Sequence, residues 1–205
     1  MLNPVFKNCK ALTFDLFGTV LDLGGSLTPH LKIFLDGYGS EINPDKMWQQ
    51  LRYRQRIEQY QDTLLELGHS GYLETVQKAF VYVARANKLD PRIEEISRFM
   101  EGWQLLSPFT ECMAALHKLS EHYKLVALSN GNPSFLDHLV ENRIQFDFDD
   151  VISVEQAGFF KPKSGVYRRA ARNLQVEPGE ILSLIHISEP TRPRLMSYAV
   201  FCLKK

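Results

Sequence analysis

Between Ser26 and about Leu106 the sequence carries helical periodicity and no strand signal, and this block interrupts a strand–helix alternation. One apolar run, ALTF at 11–14, comes before it. After SPF at 107–109 the rhythm changes. TECMAALHKLSEHY reads as an amphipathic helix, KLVALSNGNP as a strand ending in a Ser-Asn-Gly turn, and PSFLDHLVENRI as a helix. DDVISV then reads as a strand, AGFFKPKSG as a loop, VYRRAARNL as a helix and GEILSLIHIS as another strand. Alternating strands and helices need crossovers that lie on a parallel sheet. The first strand lies before the helical block and the others after it. The pattern therefore predicts an α/β core with a helical insertion. A length of 205 residues and an apolar share of 44% suit one domain carrying such an insertion.

Within the block, LTPHLKIFLDG is bounded by Ser26 and Gly37. The next helix has Asn43 as N-cap, Pro44 in the first turn and Gly68 as its stop. Two more helical stretches, GYLETVQKAFVYVARANKL and PRIEEISRFMEGWQLL, are separated by Asp90-Pro91. Lys plus Arg and Asp plus Glu are 24 each, which points away from nucleic acid or an anionic membrane as partner. The opening MLNPVFKNCK has no apolar leader, and no run approaches membrane-spanning length. Cys9, Cys112 and Cys202 lack metal-type spacing, so a reducing cytoplasmic setting is expected.

Functional groups in open α/β sheets gather at the carboxyl ends of the strands. Asp15 with Thr19, Ser129 with Asn130, and Lys161 all fall at such ends. Taken singly, Asp15 reads as a turn or cap residue, SNGNP as an ordinary turn and Lys161 as a solvated loop lysine. Together they supply a carboxylate, hydroxyl and amide donors, and one cation. An ammonium nearby favours the ionised carboxylate, and a positioned carboxylate can act as a nucleophile and form an ester.

FDLFGTVLD, LSNGNP and FKPKSGVY resemble the first three motifs of the haloacid dehalogenase superfamily, over about residues 10–181. The inserted helices look like that superfamily's cap, and the motifs are most similar to those of the L-2-haloacid dehalogenases. The resemblance implies a Rossmann-like core. Residues 1–24 would hold its first strand and nucleophile loop, 25–107 the helical cap, and 108–181 the rest of the core. It also implies roles. Asp15 would be the nucleophile and Thr19 would steady its loop. Lys161 would pair with Asp15. Ser129 would hold the substrate carboxylate, Asn130 the leaving halide, and Tyr167 would line the site. A cap arginine would touch substrate or halide. LRYRQRIEQ offers Arg52, Arg54 and Arg56, with Arg52 the first choice and the alignment open by a residue or two.

Phe17 sits where superfamily phosphatases carry a second Asp, which protonates a poor leaving group at an Mg²⁺ site. A halide leaves as an anion and needs neither proton nor metal. An aromatic ring there keeps the site dry and strengthens its electrostatics. Phe17 also reads as plain core packing. The resemblance implies no metal and no cofactor, a 2-haloacid substrate and a free halide product, and it leaves a homodimer open. The alternatives are another hydrolase of the superfamily, such as a phosphatase or phosphonatase, or an inactive fragment.

The fourth motif, which in the family serves the attacking water, is missing. Its Asn and Asp would fall near Ile187 and Pro190. Instead, Leu182 to Arg192 and Ser197 to Lys204 match, in one frame, the translation of a sequencing-library adapter. Residues 182–205 are therefore expected to be read-through after a truncated core. ILSLIHIS is still apolar enough to enter the sheet as a parallel strand over about Ile181 to Ile187, with SYAVFCL drawn in beside it.

Overall fold

The computed structural model describes residues 8–186 and 198–202. Seven strands and seven α-helices follow in chain order among them. Strand β1 (Ala11–Phe14) is wholly buried, and its one polar side chain, Thr13, donates its hydroxyl to that of Ser183 at 2.9 Å. The short β2 (Leu21–Asp22) leads into four helices: α1 (Leu23–Gly37), α2 (Pro44–Leu64), α3 (Tyr72–Ala86) and α4 (Ile93–Glu101). Strand β3 (Ser107–Pro108) then pairs antiparallel with β2, so the chain leaves and re-enters the core through one small ribbon. The remainder alternates: α5 (Cys112–Ser120), β4 (Lys124–Ser129), α6 (Pro133–Leu139), β5 (Asp150–Ser153), α7 (Ser164–Leu174), β6 (Ile181–His186) and β7 (Tyr198–Cys202).

The main sheet runs β5-β4-β1-β6-β7. Its first four strands are parallel, with β1 at the centre of them, between β4 and β6. This is the expected α/β fold. Strand β6 enters beside β1 as its apolar run predicts, although Ile187 lies outside the described residues. Strand β7 also takes the neighbouring place, but it runs antiparallel to β6. An edge strand can join in either direction, and a parallel one would need a long crossover.

Two helix boundaries differ from the sequence reading. Helix α1 begins at Leu23, because the Asp22 carboxylate accepts from the Gly25 N–H at 2.9 Å and supplies the cap. Ser26 lies inside that helix, where its hydroxyl accepts from the Ser107 N–H at 3.0 Å and ties the insertion's two ends together. Helix α2 starts as expected, with the Asn43 side chain accepting from the Asp45 and Lys46 N–H groups. It stops at Leu64, before Gly68. The helical block has its own aromatic packing. Phe80 stacks on Phe99 with centroids 4.3 Å apart, and Trp103 is fully buried.

Candidate active site

Asp15 directly follows β1, and its N–H is anchored on the Leu184 carbonyl at 2.9 Å. Its loop is held by backbone bonds: Gly18 N–H to Leu21 O, and Val20 and Leu21 N–H to Leu16 O. Gly18 has φ 91°, which a side chain would disfavour. Thr19 is buried, but its hydroxyl has no hydrogen-bond partner among the described residues. Its carbonyl accepts from the Cys112 thiol at 3.4 Å. Thr19 thus takes part in the loop through its carbonyl.

The other two strand ends converge on Asp15. The Lys161 ammonium donates to Asp15 Oδ1 at 2.9 Å and to the Leu128 carbonyl at 2.6 Å. Ser129, the last residue of β4, donates its hydroxyl to the same Oδ1 at 3.0 Å. The Ser129 oxygen accepts in turn from the Leu16 N–H at 3.4 Å. The ion pair is largely dry, with side-chain exposures of 7% for Lys161 and 14% for Asp15. Both contacts fall on one carboxylate oxygen. Asn130 joins the cluster through Oδ1, which accepts the Lys161 N–H at 3.0 Å. A backbone N–H can only donate, so this bond also fixes which way the Asn130 amide points. Tyr167 is buried nearby. Burial first, then the negative charge of Asp15, pushes its phenol up to about 12, so it remains a neutral donor.

The cap side of the site is aromatic. Phe17 stacks on Tyr72 with centroids 4.1 Å apart and planes 10° from parallel. It also stacks on Phe135 at 5.7 Å and meets Trp103 edge-on at 6.4 Å. Gly131 lets this group close. A Cβ there would lie 2.7 Å from Leu136 Cδ2 and 3.2 Å from the Phe17 ring. Arg52 donates to Gln55 Oε1 and reaches the Tyr72 hydroxyl at 3.5 Å. Arg54 instead binds Glu58 and lies over the Tyr82 ring at 3.9 Å. Burial, then the charge of Arg52, lowers the Arg56 guanidinium. Arg52 is thus hydrogen-bonded to the hydroxyl of the ring that covers Phe17.

Sequence reasoning missed Tyr72, Gln55 and His69. Tyr72 is buried, its hydroxyl is pushed up by that burial, and it senses the charges of both Arg52 and Asp15. Its only signal in the sequence was a place just after Gly71 at a helix start. Among the described residues no group of three or more His, Cys, Asp or Glu side chains is arranged to hold a metal ion. Among the same residues no helix is long and apolar enough to cross a membrane.

Residues 9–183 match the family model of the haloacid dehalogenase-like hydrolases. The chain belongs to that family. Its similarity to curated members runs over 175 residues. It is 27% identical to the (S)-2-haloacid dehalogenase of Pseudomonas sp. (strain YL), covering 84% of this chain and 72% of that one. It is 29% identical to the (S)-2-haloacid dehalogenase of Xanthobacter autotrophicus, covering 84% of this chain and 66% of that one. In three dimensions it resembles the L-2-haloacid dehalogenase of Xanthobacter autotrophicus, solved with chloropropionic acid covalently bound. The TM-score is 0.73 at 26% identity, over 85% of this chain and 69% of that one. The family assignment accounts for a hydrolase whose carboxylate stands at the end of the central strand.

Proposed function

We propose that this chain carries the apparatus for hydrolytic dehalogenation of L-2-haloacids through an aspartyl ester. The observation that carries the reading is the Asp15 carboxylate held through one oxygen by Lys161 and Ser129, with an aromatic wall at Phe17. The clamped Oδ1 leaves Oδ2 to attack C2 of the substrate from the side opposite the halogen. The C–halogen bond breaks, and the halide leaves with its electron pair toward the Asn130 amide and Arg52. Water then adds to the Asp15 carbonyl carbon and the ester C–O bond breaks. The products are the 2-hydroxy acid, inverted at C2, and a proton, with Asp15 restored. Lys161 holds the attacking carboxylate, Tyr167 donates to the substrate carboxylate, Ser129 joins it by turning its hydroxyl away from Asp15 Oδ1, and the aromatic cluster excludes water from the first step.

The second step is where this chain departs from its family's motifs. Ile187 and Pro190 stand where Asn and Asp are expected, and both lie outside the described residues. Neither side chain can orient or deprotonate water, so ester formation should outrun hydrolysis. The expected result with L-2-chloropropionate is release of about one equivalent of chloride per chain, then slow turnover, with the ester retained on Asp15. D-2-chloropropionate should be inert. No chloride release from the L-enantiomer, with Mg²⁺-dependent hydrolysis of a phosphate ester instead, would overturn the proposal. A small-molecule substrate and a cytoplasmic site of action complete the reading, which leaves a homodimer open.

A phosphatase would need an acid where Phe17 stands. Phe17→Asp is expected not to create one. The substitution removes a ring that stacks on Tyr72 with centroids 4.1 Å apart and buries a carboxylate in a position only 4% exposed. Loss of the ring alone costs about 3–5 kcal/mol, and an unpaired charge adds to that. The measurements are a thermal melt and phosphate release with and without Mg²⁺. Efficient Mg²⁺-dependent hydrolysis by this single variant would contradict the argument.

A further inference from the structure

His69 lies in the loop between α2 and α3, yet it touches the core at the residue beside Ser129. Its Nε2 is 3.1 Å from the Asn130 carbonyl oxygen. Its Nδ1 is the acceptor for the Gly71 N–H at 3.3 Å. Its ring lies 3.8 Å from that of Phe160, which is fully buried and directly precedes Lys161. A carbonyl can only accept, so Nε2 carries the hydrogen; an N–H can only donate, so Nδ1 carries the lone pair. The two bonds together require the neutral imidazole, because the charged ring would keep the bond to Asn130 but could not accept from Gly71. Burial favours that form, against the opposing charges of Glu155 and Asp62.

Asn130 is thereby held at two places. His69 fixes its carbonyl, and the Lys161 N–H fixes its side-chain oxygen, leaving the amide NH₂ as the group to receive a leaving anion. A second cap-to-core link, Lys163 to Glu66 at 2.7 Å, is more exposed and correspondingly weak. We propose that His69 is a positioning residue for halide departure, setting the Asn130 amide from the cap side; the inference rests on the dehalogenase reading. It also ties the halide contact to the seating of the α2–α3 loop on the core.

The test compares single-turnover halide release by His69→Phe and His69→Gln with that of the unaltered chain, using L-2-chloropropionate and L-2-bromopropionate. Phe keeps the stacking and removes the donor; Gln restores an N–H. H69F is expected to slow chloride release about tenfold, the value of one hydrogen bond. Bromide, the better leaving group, should be slowed less, by about threefold. H69Q should stay within about threefold on chloride. If H69F fails to fold, H69N, whose shorter amide cannot span the bond, carries the same expectation. Wild-type chloride release by H69F, or an equal slowing of both halides, would overturn the role of His69 alone. Absence of halide release from the unaltered chain would sink the dehalogenase reading and this inference with it.

Discussion

Asp15→Asn is expected to abolish halide release while leaving the fold in place. The variant loses the only group at the end of β1 that can form the ester, and an amide is a very poor nucleophile at carbon. A loss of more than about a thousandfold is the scale for removing a covalent nucleophile. The fold should survive because the change is nearly isosteric and an amide oxygen still accepts. Lys161 and Ser129, at 2.9 Å and 3.0 Å, can keep both bonds to that oxygen. The cost in stability is the lost negative charge beside a lysine side chain that is 7% exposed. Single-turnover chloride release and a mass spectrum after mixing with L-2-chloropropionate check it: no chloride burst and no ester. Near-normal release by a preparation shown free of deamidation would remove Asp15 from the mechanism.

The parts of this site that could be read in the sequence lie at strand ends. Asp15 and Ser129 sit where an apolar run stops, Lys161 lies in the loop that follows β5, and a parallel sheet brings such places to one edge. Their meeting at Oδ1 follows from the β5-β4-β1 order, which short crossovers favour. Tyr72 and His69 could not be found in the same way. Each reaches the site from a helix start or a loop, where hydrophobic period carries no message about which distant ring it will meet. Tyr72 stacks on Phe17, 55 positions earlier, and His69 meets Asn130 across 61. The ribbon of β2 and β3 escaped for another reason. Two residues per strand are too few for an alternation to show. The resemblance has Thr19 steady the loop around Asp15; the bonds seen in that loop run between backbone groups and from the Cys112 thiol to the Thr19 carbonyl.

Strand β6 shows how little a buried strand demands. Its residues pair in register with β1, Ala11 with Ile181 through Phe14 with Leu184, whatever the origin of the tail. Apolar character and length satisfy the sheet. Chemistry demands more, because a catalytic group must appear at one position with one orientation.

Lys161→Met separates the nucleophile from the field that makes it useful. Methionine keeps most of the aliphatic stem and removes the ammonium, together with its bonds to Asp15 Oδ1 and the Leu128 carbonyl. The carboxylate left behind is 14% exposed and has lost its cation. Breaking a buried pair from one side costs about 3–5 kcal/mol, because the remaining charge is uncompensated. Without the ammonium the carboxylate also loses a bond that fixes Oδ1 and so aims Oδ2. Halide release at saturating substrate should fall by about a hundredfold or more near neutrality. Stability gives an independent reading. With Asp15→Asn also present no charge is stranded, so the double variant should melt above Lys161→Met alone, a non-additivity that neighbours in one ion pair must show. A variant whose saturated rate is unchanged, and which differs only in the substrate concentration needed to reach it, would make Lys161 a binding residue. Additive melts would mean that the pair seen at 2.9 Å contributes no coupling. Either result would require another source for the charge that activates Asp15.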